Sequence, residues 1–335
     1  MKVDVTAEQE LGPAPAVSAE QDGYDAVWFG ETSHDPFVSI ALAAQATSRV
    51  QLGTGVAIAL ARSPMTLAVT ANDLQLVSEG RLLLGLGSQV KAHITRRFSM
   101  PWVQPIGQMR EFVLALRTIW RSWHEDEPLD FQGDYYSHTL MTPFFNPGPN
   151  PYGPPPILLA GVGAKMTALA GEVADGFMCH GFATERYLRE VVVPNLQEGR
   201  AKAGRDLDGF EISGLPFVVT GTTEEQMAAS AAGVREQIAF YAATPAYRPV
   251  LELHGWGELQ TELNAMTKAD RWKEMGGLID DDVLSTFAVV AEPDKVAAEV
   301  LNRYRGLFTR MHLYLKNEID REVLANMRDQ LQADA

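Results

Sequence analysis

The chain has 335 residues, of which 46% are hydrophobic and 21% charged, and its formal net charge is −15. This composition supports a packed core and excludes a chain that is disordered throughout. The acidic balance argues against binding to nucleic acid or to an anionic membrane surface, because both need basic patches on the protein.

The number and spacing of cysteines and histidines limit the disulfide and metal sites that the chain can form. The single cysteine, Cys179, excludes a disulfide within the chain and a cysteine-rich zinc site. The seven histidines lack the spacing of metal ligands, so no metal is expected. The first residues do not resemble a signal peptide, and no apolar run reaches the roughly 18 residues of a membrane span. We therefore expect a cytoplasmic protein that acts on a small-molecule substrate.

Short β-branched runs alternate with amphipathic stretches in the first half of the chain. The pattern predicts strands at 2–5 (weak), 24–29, 50–58 and 81–86. It predicts helices at 11–21 (short and Pro-bearing), 36–47, 64–78 and 105–123, and a hairpin at 129–137 around Gly133. A loop rich in proline and glycine follows at 143–156.

The same alternation continues in the second half. Strands are predicted at 157–160, 176–179, 210–220 and 310–315, and helices at 164–174, 184–202, 223–241, 293–304 and from 318 to the end. Two more helices are expected near 258–266 and 270–275. Repeated β-α units imply a parallel sheet, and about eight strands favour a closed (β/α)₈ TIM barrel over a doubly wound open sheet.

Glycines and polar residues gather where the predicted strands end. These stretches are 30–35, 53–56, 85–89, 160–163 and 179–180. In a barrel, such ends meet at one rim and build the active site. Gly161-Val162-Gly163 joins a strand to a helix N-terminus, where backbone N–H groups and the helix dipole favour a phosphate. A Rossmann fingerprint is disfavoured, because Val90 and Met166 occupy the positions of its third glycine.

Several of these stretches, in this order, resemble the bacterial-luciferase-like superfamily. They are WFGETSHDPF (28–37), LGTGV (52–56), GRLLLGLGS (80–88) and AGVGAKM (160–166) with ADGF (174–177). The match is closest to the oxidoreductases that use the 8-hydroxy-5-deazaflavin coenzyme F-420, and it covers the chain from about residue 23 to 315. It implies a single TIM-barrel domain over 1–335, with an enlarged helical insertion around strand 7 at about 242–290, and a homodimer.

The resemblance also implies a cofactor site. A flavin-like ring would lie at the strand C-termini, supported by a cis peptide bond at Gly55–Val56, with the phosphate near Gly161–Gly163. The implied cofactor-binding residues are Gly55, Val56, Ala57, Gly87, Ser88, Gln89, Ala160, Gly161, Val162 and Gly163.

Hydride transfer between a deazaflavin and a small organic substrate needs a group that takes up or supplies a proton. His34 and His180 are the candidates, because imidazole titrates near neutrality. Glu31 is expected to orient His34 or to bond to the coenzyme. Many relatives have a histidine directly after the acidic residue, where Thr32 stands here. Two alternatives remain open: an FMN-dependent luciferase-like monooxygenase, and a flavin-binding barrel without catalysis.

Overall fold

The computed structural model describes residues 1–7, 11–317 and 319–333. The strands of this part of the chain are β1 (Lys2–Val3), β2 (Val5–Ala7), β3 (Ala26–Phe29), β4 (Gln51–Thr54), β5 (Ala57–Ile58), β6 (Leu82–Gly87), β7 (Phe131–Gln132), β8 (Ser137–His138), β9 (Ile157–Gly161), β10 (Gly176–Cys179), β11 (Glu211–Gly214), β12 (Phe217–Val219), β13 (Ala288–Val290) and β14 (Arg310–Met311).

The helices alternate with these strands. They are α1 (Ala14–Asp22), α2 (Pro36–Ala46), α3 (Pro64–Val77), α4 (Lys91–Arg96), α5 (Pro105–His124), α6 (Ala164–Val173), α7 (Glu185–Tyr187), α8 (Val193–Lys202), α9 (Glu224–Ala242), α10 (Arg248–Leu253), α11 (Gly257–Lys268), α12 (Asp281–Phe287), α13 (Pro293–Tyr304) and α14 (Arg321–Ala333). Short 3₁₀ turns lie at Ala59–Ala61, Pro245–Tyr247 and Trp272–Leu278, and a π turn at Leu188–Val192 joins α7 to α8.

The strands form a parallel barrel, as the sequence predicts. Ten strands pair in the order β1-β14-β11-β10-β9-β6-β4-β3-β2, with β5 also on β6. Because β1 and β2 are consecutive pieces of the N-terminal segment, that segment closes the ring between β14 and β3. Since β4 and β5 likewise belong to one segment, eight segments surround the barrel axis, which confirms the (β/α)₈ architecture.

Local sequence signals set the helix boundaries. Ser63 caps α3 by accepting a hydrogen bond from the Thr66 N–H, and Pro64 occupies its first turn. Asp35 caps α2 in the same way, through the Phe37 N–H. The apolar side chains of α5 recur at helical spacing, and Phe112, Leu116, Ile119 and Trp120 are buried against the barrel.

The segment after strand seven differs most from the prediction. The strand predicted at 210–220 is split into β11 and β12, and β12 pairs in parallel with β13, which the sequence did not reveal. Helices α10 and α12 were also missed, as was α4 after strand four. The last barrel strand is only Arg310–Met311, and the C-terminal helix begins at Arg321. The helix start predicted at Glu318 lies outside the described residues.

A charged cluster, buried except at Glu211, fills the barrel at the N-terminal ends of the strands. The Arg310 guanidinium donates to the carboxylates of Asp4 and Glu211, at 2.7 Å in each case. The Trp28 indole N–H donates to Asp4 at 2.8 Å, and the Arg310 guanidinium lies 5.2 Å from the centre of the Trp28 ring. We call these four residues the floor cluster. Burial opposes ionisation of Glu211, but the charges and hydrogen bonds of Arg310 and Lys2 together outweigh it and lower the pKa of that carboxyl.

Candidate active site at the barrel mouth

Side chains that point into the barrel can be identified from strand register. Trp28, Gly53 and Leu83 lie side by side on neighbouring strands, and a Cβ on Gly53 would come within 2.3 Å of the Trp28 ring. Met178 and Ser213 are likewise paired, and Ser213 pairs with Arg310. Because side chains alternate along a strand, the residue two positions further on also points inward, at the C-terminal end.

Applied to both sides of the barrel, this alternation gives the mouth two unlike halves. On strands two and three the inward positions are Gly30 and Gly55, and on strand four they are Gly85 and, at the strand end, Gly87. On strands six to eight they are His180, Leu215 and His312. We call these sets the glycine half and the histidine half. The glycine half exposes backbone, whereas the histidine half presents two imidazole rings on either side of a leucine.

The glycine half contains the predicted cis peptide bond. The bond between Gly55 and Val56 is cis. A Cβ on Gly87 would come within 2.7 Å of a methyl group of Val56, so glycine at 87 leaves room for Val56. Ala57 pairs with Leu86 and is fully buried, so its side chain belongs to the barrel wall.

Ser88 and Gln89 follow directly at the end of strand four, and both are half-buried. The Ser88 hydroxyl donates to the Gln89 carbonyl at 3.2 Å. The Gln89 side-chain oxygen accepts from the Val90 N–H at 2.9 Å. These bonds fix the rim next to Gly87.

Glu31 bonds to residues other than His34, its predicted partner. One of its carboxylate oxygens accepts from the Ile58 N–H at 2.7 Å and from the Arg62 guanidinium at 2.6 Å. Arg62 also bonds Asp35 at 3.0 Å. Glu31 therefore ties the loop after strand two to the segment that follows the cis bond, and the described residues show no bond from it to His34. The His34 side chain is exposed.

The predicted phosphate loop lies at the end of strand five. Gly163 has φ +79°, a conformation that disfavours any side chain, and no other atom lies within 4 Å of where its Cβ would be. Its carbonyl accepts from the N–H and the hydroxyl of Thr167 at 3.2 and 3.0 Å, which starts α6. The first N–H groups of α6 have no partner inside the helix, and Val162, Ala164 and Lys165 beside them are exposed. Ala160, the strand residue just before Gly161, is half-buried.

His180 lies in a cleft that begins at this loop. Its Nδ1 accepts from the Phe182 N–H at 3.1 Å, so the ring proton is on Nε2 in the neutral form. Burial lowers the pKa of His180 to about 4, so the ring is neutral at physiological pH. In the described part of the chain no group bonds its Nε2. His180 is therefore a hydrogen-bond donor toward the cleft and a poor proton acceptor near neutrality.

Aromatic side chains surround His180. The ring of Tyr247 lies 4.7 Å from it at an interplanar angle of 31°, and that of Tyr241 lies 4.6 Å away, nearly edge-on. Phe182 stacks on Phe287 behind them. Burial raises the pKa of Tyr241 to about 12 and that of Tyr247 further. Both phenols therefore remain protonated.

His312 is a mouth residue that was not predicted from the sequence. Its backbone N–H donates to the Gly214 carbonyl at 3.1 Å, which places it beside Leu215. Its ring is partly exposed, but its Nδ1 is buried and has no partner in the described structure. Burial and the charge of Arg310 below it lower the pKa of His312 to about 4. Counting two residues on from Arg310 would have identified it as inward-facing, had the strand assignment been extended to side-chain direction.

His34 and His180 do not form a pair. They follow β3 and β10, and β4, β6 and β9 lie between these strands in the sheet. The two histidines thus flank the mouth from opposite sides. Cys179, next to His180, is buried, and burial raises the pKa of its thiol to about 12, so it is not an active nucleophile.

Two negative findings hold for residues 1–7, 11–317 and 319–333. Among them, no three histidine, cysteine or acidic side chains are grouped so as to hold a metal ion. Over the same residues, none of the helices combines the length and apolar character needed to cross a membrane.

Comparison with known proteins places the chain in a family. The model of the luciferase-like monooxygenase family matches residues 13–310. An uncharacterized protein of Mycobacterium tuberculosis is 49% identical over 313 residues, which are 93% of this chain and 92% of that protein. The 5,10-methylenetetrahydromethanopterin reductase of Methanolobus tindarius is 27% identical over 286 residues, covering 84% and 83% of the two chains.

A solved structure agrees with the fold. The coenzyme F-420-dependent tetrahydromethanopterin reductase of Methanopyrus kandleri superposes with a TM-score of 0.80 at 18% identity, over 99% of each chain. At that identity the likeness concerns the barrel alone. The family model covers most of the sequence, and the chain therefore belongs to the luciferase-like monooxygenase family.

Proposed function

We propose that this protein is a coenzyme F-420-dependent oxidoreductase that moves a hydride between the deazaflavin and a small organic substrate. The observation that carries the proposal is the division of the mouth into a glycine half and a histidine half, with an anion-binding loop at its edge. The reductases among its relatives support the same reaction class.

The residues at the mouth suit a flat ring with a phosphate-bearing tail. Gly30 and Gly55 have no side chains to keep a planar ring from the backbone, and Gly87 leaves the space beside it to the Val56 side chain. The N–H groups at the start of α6 and the dipole of that helix suit the phosphate. Ser88 and Gln89 border the ring position at the adjacent strand end. Val162 and Ala160 flank the tail.

The protein's own task is to hold the substrate oxygen and to let a proton reach or leave it. The bound coenzyme supplies the carbon that gives or takes the hydride. When an alcohol is oxidised, the hydride leaves its carbinol carbon and the hydroxyl proton must leave separately. His180 donates its Nε2–H to the oxygen and stabilises negative charge there. His34 is exposed at the other side of the mouth. We propose that it takes up the proton that leaves the substrate hydroxyl and releases this proton to water.

A titration with each cofactor tests the proposal. We expect coenzyme F-420 to bind at least tenfold more tightly than FMN, a difference of about 1.4 kcal/mol. Equal or tighter binding of FMN would contradict the proposal and favour the monooxygenase alternative. Failure of the purified protein to turn over any hydride donor would favour the non-catalytic barrel.

We also propose that the protein is a homodimer. Helices α2 and α3 pack side by side and expose apolar side chains on their outer faces. Val38 and Leu42 are one helical turn apart on α2, and Leu76 lies on α3, each close to half exposed. Light scattering should give twice the 36.7 kDa chain mass, and Leu42→Glu should shift the protein to monomer. A wild-type monomer at micromolar concentration would refute this assembly.

A further inference from the structure

We propose that the histidine half of the mouth, together with the aromatic cleft above it, is a subsite for an uncharged substrate. Its ligand would carry an apolar body and one carbonyl or hydroxyl oxygen, which His180 and His312 bind. The inference rests on the proposed function for its chemistry, and it names the substrate class and a binding residue, His312, that the reaction alone does not specify.

Strand register places the two histidines at the same level of the barrel. Met178 pairs with Ser213, and Gly214 pairs with Met311, so the next residues along these strands place His180, Leu215 and His312 in one row. The two histidines are two strand spacings apart, roughly 10 Å. Leu215 lies between them. A ligand that spans this row would contact both rings.

Each imidazole has one nitrogen without a hydrogen-bond partner among the described residues. Nδ1 of His180 is used by the Phe182 N–H, which leaves Nε2–H available. Nδ1 of His312 is buried without a partner among the described residues. An unpartnered buried polar atom costs about 1–3 kcal/mol, so a ligand that satisfies it gains binding energy. The low pKa of each ring keeps both neutral.

The surroundings of His180 disfavour a charged ligand. The cleft next to His180 is lined mainly by apolar and aromatic side chains, including Phe177, Phe182, Tyr187, Val192, Tyr247 and Val250. None of the side chains that line it carries a charge at neutral pH, because Cys179, Tyr247 and His180 all remain neutral. A carboxylate or phosphate on the substrate would lose its hydration there without gaining a counter-charge. Backbone N–H groups that suit an anion occur at the Gly163 end, which we assign to the coenzyme.

Cyclohexanone and cyclohexanecarboxylate are suitable probes, because they share an apolar ring and differ in charge. The Hε1 signals of the seven histidines are followed by NMR in the full-length protein, with and without saturating coenzyme F-420. We expect cyclohexanone to shift the signals of His180 and His312 saturably. The carboxylate should leave both in place. Single His→Leu variants assign the signals.

Variants distinguish the contribution of the hydrogen bonds to cyclohexanone affinity from the contribution of packing. His180→Leu and His312→Leu should each weaken cyclohexanone binding at least fivefold. His180→Gln and His312→Asn, whose amides replace Nε2 and Nδ1, should recover part of it. His138→Leu, in the distant β7–β8 hairpin, is the control and should bind as the wild type does. Circular dichroism and coenzyme affinity show that each variant is folded.

The outcomes distinguish this inference from the proposed function. If coenzyme F-420 binds but cyclohexanone shifts neither signal, or if the carboxylate binds equally well, the subsite is wrong and the coenzyme assignment stands. If the coenzyme does not bind while cyclohexanone does, the subsite stands and the proposed function fails. Unchanged cyclohexanone affinity in both leucine variants overturns the roles of the two histidines.

Discussion

The polar side chains at one end of the barrel bond to one another, whereas those at the other end leave atoms unpaired. In the floor cluster, Arg310 bonds both Asp4 and Glu211 and leaves no side-chain surface exposed to solvent. At the mouth, His180 and His312 each keep a ring nitrogen that no described group bonds. One fold thus contains a satisfied polar network and an unsatisfied one.

This difference distinguishes the residues that stabilise the barrel from the residues that are free to bind a ligand. Removing one member of a buried ion pair leaves an uncompensated charge and is strongly destabilising. Unpaired groups at the mouth reduce stability, and we expect the mouth to retain them because a ligand uses them. Stability and function should therefore respond to different substitutions, which the following predictions test.

The largest effect is expected at the floor. Arg310→Met should lower the free energy of unfolding by about 3–5 kcal/mol, because the Asp4 carboxylate would remain buried without its partner. Urea denaturation measures the change. Lys2→Met is the control, since Lys2 pairs with Glu211 at the surface and its loss should cost less than about 1 kcal/mol. Equal stability of the two variants would show that the floor cluster does not stabilise the barrel.

His34→Ala should lower turnover roughly 10²-fold, the lower end of what general acid–base catalysis contributes. Because the side chain is exposed, unfolding free energy should change by less than about 0.5 kcal/mol. Reduction of cyclohexanone by the reduced coenzyme provides the assay, with coenzyme affinity measured in parallel. Unchanged turnover would mean that the proton takes another route.

Stability should fall as the pH is lowered from about 6.5 to about 4. In this window the unfolded state binds protons at His180 and His312 that the folded state does not, because burial lowers the pKa of both rings to about 4. Each histidine contributes up to about 1.4 kcal/mol per pH unit. His312→Leu should reduce the slope by about one proton relative to wild type, whereas His93→Leu, an exposed site, should not. Identical slopes in all three proteins would contradict the burial of His312.

A smaller effect is expected at Glu31, which connects the loop after strand two to the segment that follows the cis bond. Glu31→Ala should destabilise the protein by about 1–2 kcal/mol, because the Ile58 N–H and Arg62 lose their acceptor. Glu31→Gln retains an oxygen and should recover about half of that loss. Thermal unfolding of the three proteins measures this. If Gln is no better than Ala, the carboxylate charge and not the hydrogen bond holds the loop.

The sequence predicted most of the barrel because its signals there are local. Ser63-Pro64 marks a helix start and the Gly85–Gly87 run marks a strand end within a few residues. The glycines of the mouth were visible in the sequence itself, whereas the cis bond at Gly55–Val56 followed from the family resemblance, and the structure confirms the bond. Such features need no knowledge of distant contacts.

What the sequence did not show depends on distant contacts. Strand β13 forms because it pairs with β12, about seventy residues earlier in the chain. Glu31 pairs with Arg62, 31 residues away, and the sequence around Glu31 gives no sign of that pairing. His312 follows a strand of only two residues, too short to show alternation by itself. The roles of His34, His180 and the cofactor-binding residues remain predictions.

The binding of the coenzyme at the loop before α6 is tested most directly at Ala164. This exposed residue opens α6, so Asp there suits the helix dipole and should not unfold the protein. Its carboxylate would repel the phosphate by up to about 4 kcal/mol at 4 Å and an effective dielectric of 20, before screening. We predict that Ala164→Asp weakens coenzyme F-420 at least a hundredfold, whereas Ala164→Asn, of equal size, changes it little. A deazaflavin without the phosphodiester tail should bind all three proteins alike. A folded Ala164→Asp protein that binds the full coenzyme as tightly as wild type would contradict the account.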